Sequence, residues 1–196
     1  MFMPGLLLLL AIPPFAALLL ATDAPPVLNT PVYSLATLND DGSTNMNILT
    51  YATPVGVQPR LWAVSLFRKT LSRDNFVAHK GGVLQQLCNS HAQLTYPLGG
   101  LSGRDVDKAS ACAGAGFAWM DAIEDGQPQL LPGCAMYVRL EQVGELQEAG
   151  EHDVALCRVD FYTGLDGPPS DGALCSSSLR AKKLITDRGR AIEPDA

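Results

Sequence analysis

Residues 45–75 read NMNILTYATPVGVQPRLWAVSLFRKTLSRDN. Two apolar runs, residues 48–51 and 61–66, flank a bend containing Pro54, Gly56 and Pro59, and the second run leads directly into Arg68, Lys69 and Thr70. This order predicts a strand, a turn, a strand and a helix start. Thr70 suits the N-cap of a helix over residues 71–80, with Gly81 and Gly82 as its stop. The first N–H groups of such a helix have no intrahelical acceptor and form the positive end of its dipole. With two cations and a hydroxyl beside them, they suit a phosphate. The competing reading is a solvated basic patch, the commoner fate of short basic runs.

Outward from this stretch, residues 32–38 (VYSLATL) read as a strand, and Asn39-Asp40-Asp41-Gly42 is turn chemistry that returns the chain as a hairpin over residues 46–53. In that second strand Asn47, Thr50, Tyr51 and Thr53 interrupt the apolar run. Their polar groups need partners. They either satisfy one another and solvent, or receive a flat polar ligand. Residues 83–87 are a further strand and residues 105–117 a short helix. Residues 134–146 alternate, with Met136, Val138 and Leu140 facing one way and Tyr137, Arg139 and Glu141 the other, as in a half-exposed strand. A short turn joins it to an antiparallel partner over residues 154–162, with His152 at the entrance. A lone His there is ordinarily an exposed turn residue, but its near-neutral pKa suits a place beside a ligand. Residues 164–172 read as loop, followed by an amphipathic segment near residues 179–184 and a loose polar tail. Several short strands with few helices indicate a mainly β barrel or sandwich.

The 196 residues carry 14 Lys and Arg against 20 Asp and Glu, a net charge of −6. That balance argues against a nucleic-acid surface, so any phosphate must be bound locally. Five cysteines, at 88, 112, 134, 157 and 175, form no CxxC pair and have no His at zinc-ligand spacing, which argues against a metal site. Their scatter and odd number favour reduced core residues, and hence a reducing compartment such as cytoplasm or an organelle. Gly114-Ala115-Gly116 lacks the third glycine and the preceding strand of a dinucleotide fingerprint. Ser102, in GLSGR, is not in a nucleophile-elbow pattern.

Residues 1–22 hold no charged side chain, and LLLLLAIPPFAALLLA is apolar enough for a signal-peptide core or a short anchor. Pro13 and Pro14 interrupt it and no Lys or Arg precedes it, so a disordered or organelle-targeting extension fits equally. Membrane contact is expected only through residues 1–22. Pro25 and Pro26 read as a linker, giving an extension over 1–26, a domain over 27–163 and a tail over 164–196.

The pieces NTPVYSLATLNDDGSTNMNILTYATPV, RLWAVSLFRKTLSRDNF, GVLQQL, LSGRDVDK, LPGCAMYVRLEQV and GEHDVALCRVDF resemble, in order, the flavin reductase-like family with the FMN-binding split barrel. ALCSSSLRAKK is similar to its closing helix. The resemblance implies a six-stranded antiparallel Greek-key split barrel with a few added helices, and a homodimer binding FMN near the subunit interface. By position, Asn47, Thr50, Tyr51, Ala52 and Thr53 would lie along the flavin ring and ribityl chain. Arg68, Lys69 and Thr70 would hold the phosphate, with Asn75 on the same helix as a further cofactor-binding candidate. His152 matches a His near the flavin in relatives and is the catalytic candidate. Arg104 and Asp105 match a subfamily pattern without an assigned role.

The implied activity is an oxidoreductase that takes hydride from NAD(P)H onto FMN and passes electrons to a second acceptor, with the chemistry carried by the cofactor. An FMN-binding electron carrier with no nicotinamide site of its own is the alternative. A barrel that has lost flavin and serves a structural role is a third, since fold does not fix function.

Overall fold

The turn chemistry at residues 39–42 makes the first hairpin. In the computed structural model, which describes residues 27–162 and 171–194, β1 (Tyr33–Leu38) and β2 (Thr44–Leu49) pair antiparallel. Gly42 takes the left-handed φ of +81° that the turn requires, and Asp41 accepts from the Ser43 backbone N–H at 2.9 Å. The second strand does not run on through Thr53 as the apolar pattern suggests. It stops at Leu49, and Thr50 and Tyr51 form a corner before β3 (Ala52–Gly56), which pairs with β4 (Leu61–Phe67). The Tyr51 carbonyl closes the corner by accepting from Ser65 N–H at 2.9 Å.

The remaining strands are β5 (Gly81–Gln86), β6 (Met136–Gln142), β7 (Gln147–Ala149) and β8 (His152–Tyr162). All pairings are antiparallel, in the order β2-β1-β5-β6-β8-β4-β3, with β7 alongside β8. Eight strands replace the six expected, because β3 separates from β2 at the corner and β7 adds a short hairpin arm. Consecutive strands β2 and β3 occupy opposite ends of the order yet are joined by two residues, so the sheet has to curl. The result is a mainly β, curled antiparallel half-barrel of the split-barrel kind.

Helix α1 (Leu71–His79) caps this sheet. Thr70 is its N-cap, accepting from Arg73 N–H at 3.2 Å. Its stop is not the glycine pair but Lys80, at φ +56°, whose N–H reaches the Phe76 carbonyl. Gly81 and Gly82 instead open β5. A Cβ on Gly81 would collide with the Leu140 carbonyl, and one on Gly82 would lie 2.6 Å from the Ala36 carbonyl, so glycine lets β5 approach both neighbours.

The pleat divides two cores. Leu35, Val64, Phe76, Leu84, Val138 and Ala155 fill the barrel side, where burying Phe76 alone stabilises by about 1.5–3 kcal/mol. Ala36, Met46, Leu94, Leu131, Leu174 and Leu179 form the other core, beneath a helical layer. Tyr137, read as facing out, is buried in that second core and donates to the Leu131 carbonyl at 2.6 Å. The layer contains a 3₁₀ turn (Asn89–Leu94), α2 (Thr95–Gly99), α3 (Lys108–Gly114) and α4 (Ser176–Ala181). Helix α3 is shorter than the 105–117 segment expected, because Asp107 caps it by accepting from Ala109 N–H at 3.0 Å. The tail is docked rather than loose over much of its described length: Leu174, Leu179 and Ile185 are buried, and Thr30 N–H donates to Ser176 Oγ at 3.0 Å. The apolar extension expected over residues 1–26 and most of the loop expected over 164–172 lie outside the described residues.

Candidate functional site

A cleft of about 330 Å³ opens where β2, the end of β4 and the start of α1 meet the loop 98–103. Asn47 and Ile48 line its β2 side, Phe67 the end of β4, and Lys69 and Thr70 the helix start. The loop wall approaches β2 closely at Gly103, where a Cβ would collide with Asn45 Oδ1. Asn45 is buried and its amide donates to Ser72 Oγ at 2.8 Å, so loop, strand and helix meet at one carboxamide.

Asn47 Oδ1 is buried without a hydrogen-bond partner. Leaving an acceptor so costs about 1–3 kcal/mol, which a ligand donor entering the cleft would recover. Lys69 is exposed and makes no ion pair among the described residues. Thr70 spends its hydroxyl locally, donating to the Phe67 carbonyl at 2.8 Å, so what it contributes to the cleft is a well-formed helix start. Lys108, 6% exposed, lines the inner side. Its ammonium donates to the Met46 carbonyl at 2.8 Å and the Leu98 carbonyl at 2.9 Å, and desolvation lowers its pKa to about 8.

A second group of charges sits beside the cleft. Asp153 accepts from Arg68 Nε at 2.8 Å and from Arg73 Nη2 at 2.7 Å. Arg68 also reaches Glu148 at 2.8 Å, while Arg73 and Arg104 share Asp74. Burial would raise the Asp153 pKa, but the hydrogen bonds from Arg73 and Arg68 outweigh it and hold the carboxyl below its usual value.

The structure therefore brings Asn47, Lys69 and Thr70 to one cleft. It turns the Arg68 guanidinium toward carboxylates and outside the cleft lining. Asn75 also lies off the lining, its amide held by Asn39 Oδ1 at 2.7 Å and Thr37 Oγ1 at 3.3 Å. Thr50, Tyr51, Ala52 and Thr53 form the corner and first half of β3 rather than the lining, with Tyr51 57% exposed. His152 lies off the lining: its ring centroid is 5.3 Å from that of Phe67, which lines the cleft, and 6.0 Å from that of Tyr51.

The flavin reductase-like domain model matches residues 27–175. The chain belongs to the flavin reductase-like family. Among solved structures, this flavin reductase-like chain is similar to a flavoredoxin from Methanosarcina acetivorans, at 16% identity and a TM-score of 0.67, over 90% of this chain and 91% of that one. It is also similar to an NADH:FAD oxidoreductase from Streptomyces globisporus C-1027, at 15% identity and a TM-score of 0.62, over 76% and 81%. An FMN-binding protein from Thermus thermophilus with bound p-hydroxybenzaldehyde gives 21% identity and a TM-score of 0.63, over 80% and 89%. At these identities the likeness is one of fold. No curated protein matches the sequence.

The residues present fit a flavin of this family. An unpartnered carbonyl suits a ring N–H or a ribityl hydroxyl, and a helix start with an unpaired lysine suits a phosphate. Sequence reasoning missed the loop 98–103 and Lys108. Both fall in or beside LSGRDVDK, a segment that the family resemblance marked but whose charged composition reads as solvated.

Proposed function

We propose that this chain is a flavin reductase that holds FMN in the cleft beside α1 and takes electrons from NAD(P)H. The observation that carries the reading is the buried, unpartnered carbonyl of Asn47 in the same cleft as the α1 N-terminus and Lys69. Bound flavin supplies the two-electron chemistry. The chain's part is to orient the flavin, screen it and balance its charge. Lys69 and the N–H groups opening α1 hold the phosphate, and Asn47 accepts from the ring or ribityl chain. Thr50, Tyr51, Ala52 and Thr53 border the ring end. His152 acts through Phe67 and Tyr51 as a positioning or proton-donating group.

The same reading takes a second copy of the chain as partner. Strand β3 is a sheet edge that pairs only with β4 among the described residues, and it exposes Val55 at 54%, with Val57 beyond it at 85%. An apolar edge of this kind calls for a cover. Light scattering of wild type against Val57→Glu tests this, a dimer being expected for the first and a shift toward monomer for the second.

The deciding experiment is an absorption spectrum after FMN addition, followed by NADH and NADPH oxidation with free FMN and oxygen. Yellow protein that consumes either nucleotide is expected. Yellow protein that consumes neither selects the electron carrier, and protein that takes up no FMN ends the reading.

A further inference from the structure

Lys108 is a buried cation for which packing alone gives no reason. It makes no ion pair among the described residues, and taking an ammonium out of water is costly. A methionine of similar length would fill the space without that cost. What the ammonium does make is two bonds to main-chain carbonyls of different elements. Met46 lies on β2, between Asn45, which anchors Ser72, and Asn47, whose carbonyl is unpartnered in the cleft. Leu98 lies on α2, at the start of the loop forming the opposite wall. The loop meets β2 again at Gly103, so it is held at both ends, by an ammonium at one and by close packing at the other.

We infer that Lys108 is the positioning residue of the flavin cleft: by joining the Met46 and Leu98 carbonyls through one ammonium, it fixes the separation of the β2 floor from the loop wall and so sets the fit of the flavin. The inference rests on the flavin reading above. Charge-assisted hydrogen bonds are about twice as strong as neutral ones, which suits a fastener between two elements distant in sequence, β2 and α2. Desolvation lowers the Lys108 pKa to about 8, which leaves the ammonium in place at neutral pH.

The test measures FMN and riboflavin affinity by fluorescence titration, and thermal midpoints with and without FMN, for wild type, Lys108→Met and Lys108→Gln. Lys108→Met is expected to weaken both flavins about tenfold, the equivalent of one charge-assisted bond, and by the same factor for each. The FMN-induced rise in midpoint should shrink with it, and Lys108→Gln, which keeps a donor, should lose less. A lower midpoint with unchanged flavin affinity would make Lys108 a brace of the fold alone and overturn the inference. A loss confined to FMN would also overturn it, since the ammonium would then be serving the phosphate. If Lys108→Met does not fold, the same comparison is read from Lys108→Gln against wild type, with a severalfold loss of both flavins expected. Wild type that takes up no FMN sinks the flavin reading and this inference together, whereas wild type that binds FMN beside variants that bind equally well sinks the inference alone.

Discussion

Arg68, Arg73, Lys69 and Lys108, at or beside the cleft, divide into two pairs with different surroundings. Arg68 and Arg73 converge on the carboxylate of Asp153, whereas Lys69 and Lys108 line the cleft and make no ion pair among the described residues. The first pair is neutralised within the protein and ties α1 and the end of β4 to β8. Of the second, Lys69 leaves its charge unpaired beside the cavity, as an anionic ligand requires, whereas the Lys108 ammonium is spent on the Met46 and Leu98 carbonyls. Neighbouring basic residues in a sequence are thus not equivalent: Arg68 and Lys69 are adjacent, yet one serves the scaffold and the other the cleft.

The sharpest way to break this division is to compare the two neighbours directly. Lys69→Ala with Thr70→Ala should weaken FMN binding about 100-fold, the loss of a charge-assisted bond and of a well-formed helix start, while Arg68→Ala should change it less than about threefold. Equal losses in a fluorescence titration would erase the distinction.

The carboxylate side is read from acid stability. Asp153 and Glu148 are held below their ordinary values, the latter by hydrogen bonding to Arg68, so the folded state binds fewer protons than the unfolded chain. Their contribution is complete above the usual carboxylate pKa of about 4 and is lost as pH falls below it. Thermal midpoints of wild type should therefore drop several degrees between neutrality and pH 3, and Asp153→Asn should start lower and drop less.

The cleft side has the opposite sign. Lys108 titrates near pH 8 in the fold against 10.5 for an ordinary lysine, so between those values the unfolded chain holds more protons and this residue's contribution rises with pH. Its charged and titratable neighbours are Asp107, the cap of the same helix, and Cys112, whose thiol burial raises. The other buried thiols act against the trend, since Cys88 is pushed up to about 11 and each loses stability as pH climbs past the ordinary thiol value. The prediction is therefore a difference: wild type minus Lys108→Met should become more favourable from pH 8 to 10 in denaturant melts.

The smallest effect belongs to His152, next to Asp153 on β8 but packed on Phe67 rather than on the arginines. His152→Ala should leave FMN affinity within about twofold and lower the NAD(P)H oxidation rate severalfold. Unchanged affinity and rate together would remove it from the site.

Most of the barrel was legible because local chemistry and global fold agree there. The Asn39-Asp40-Asp41-Gly42 turn, the Thr70 cap and the alternation along β6 each depend on neighbours in sequence. The cleft wall was not. Residues 89–99 carry no clear period and include Pro97, and they fold into a 3₁₀ turn and a short helix only because Leu94 and Leu98 find the second core. Lys108 follows Arg104, Asp105 and Asp107, company that signals solvent, and its burial is decided by carbonyls distant in sequence. The end of β2 at Leu49 was hidden because Thr50 and Tyr51 favour strand in isolation, and it takes β1 and β4 drawing the chain toward different partners to bend them.

That corner also orders events during synthesis. On one side of Thr50 and Tyr51 the β1–β2 hairpin can form as soon as it emerges, and on the other β3 and β4 can pair just as early, but β4 has its second edge open until β8 arrives, Phe67 waiting for His152. A ribosome-bound chain lacking β8 should therefore hold the β3–β4 hairpin apart from the β2-β1-β5-β6 sheet, with Trp62 and Val64 uncovered and prone to self-association and to chaperone capture, and barrel closure should wait until β8 has been made.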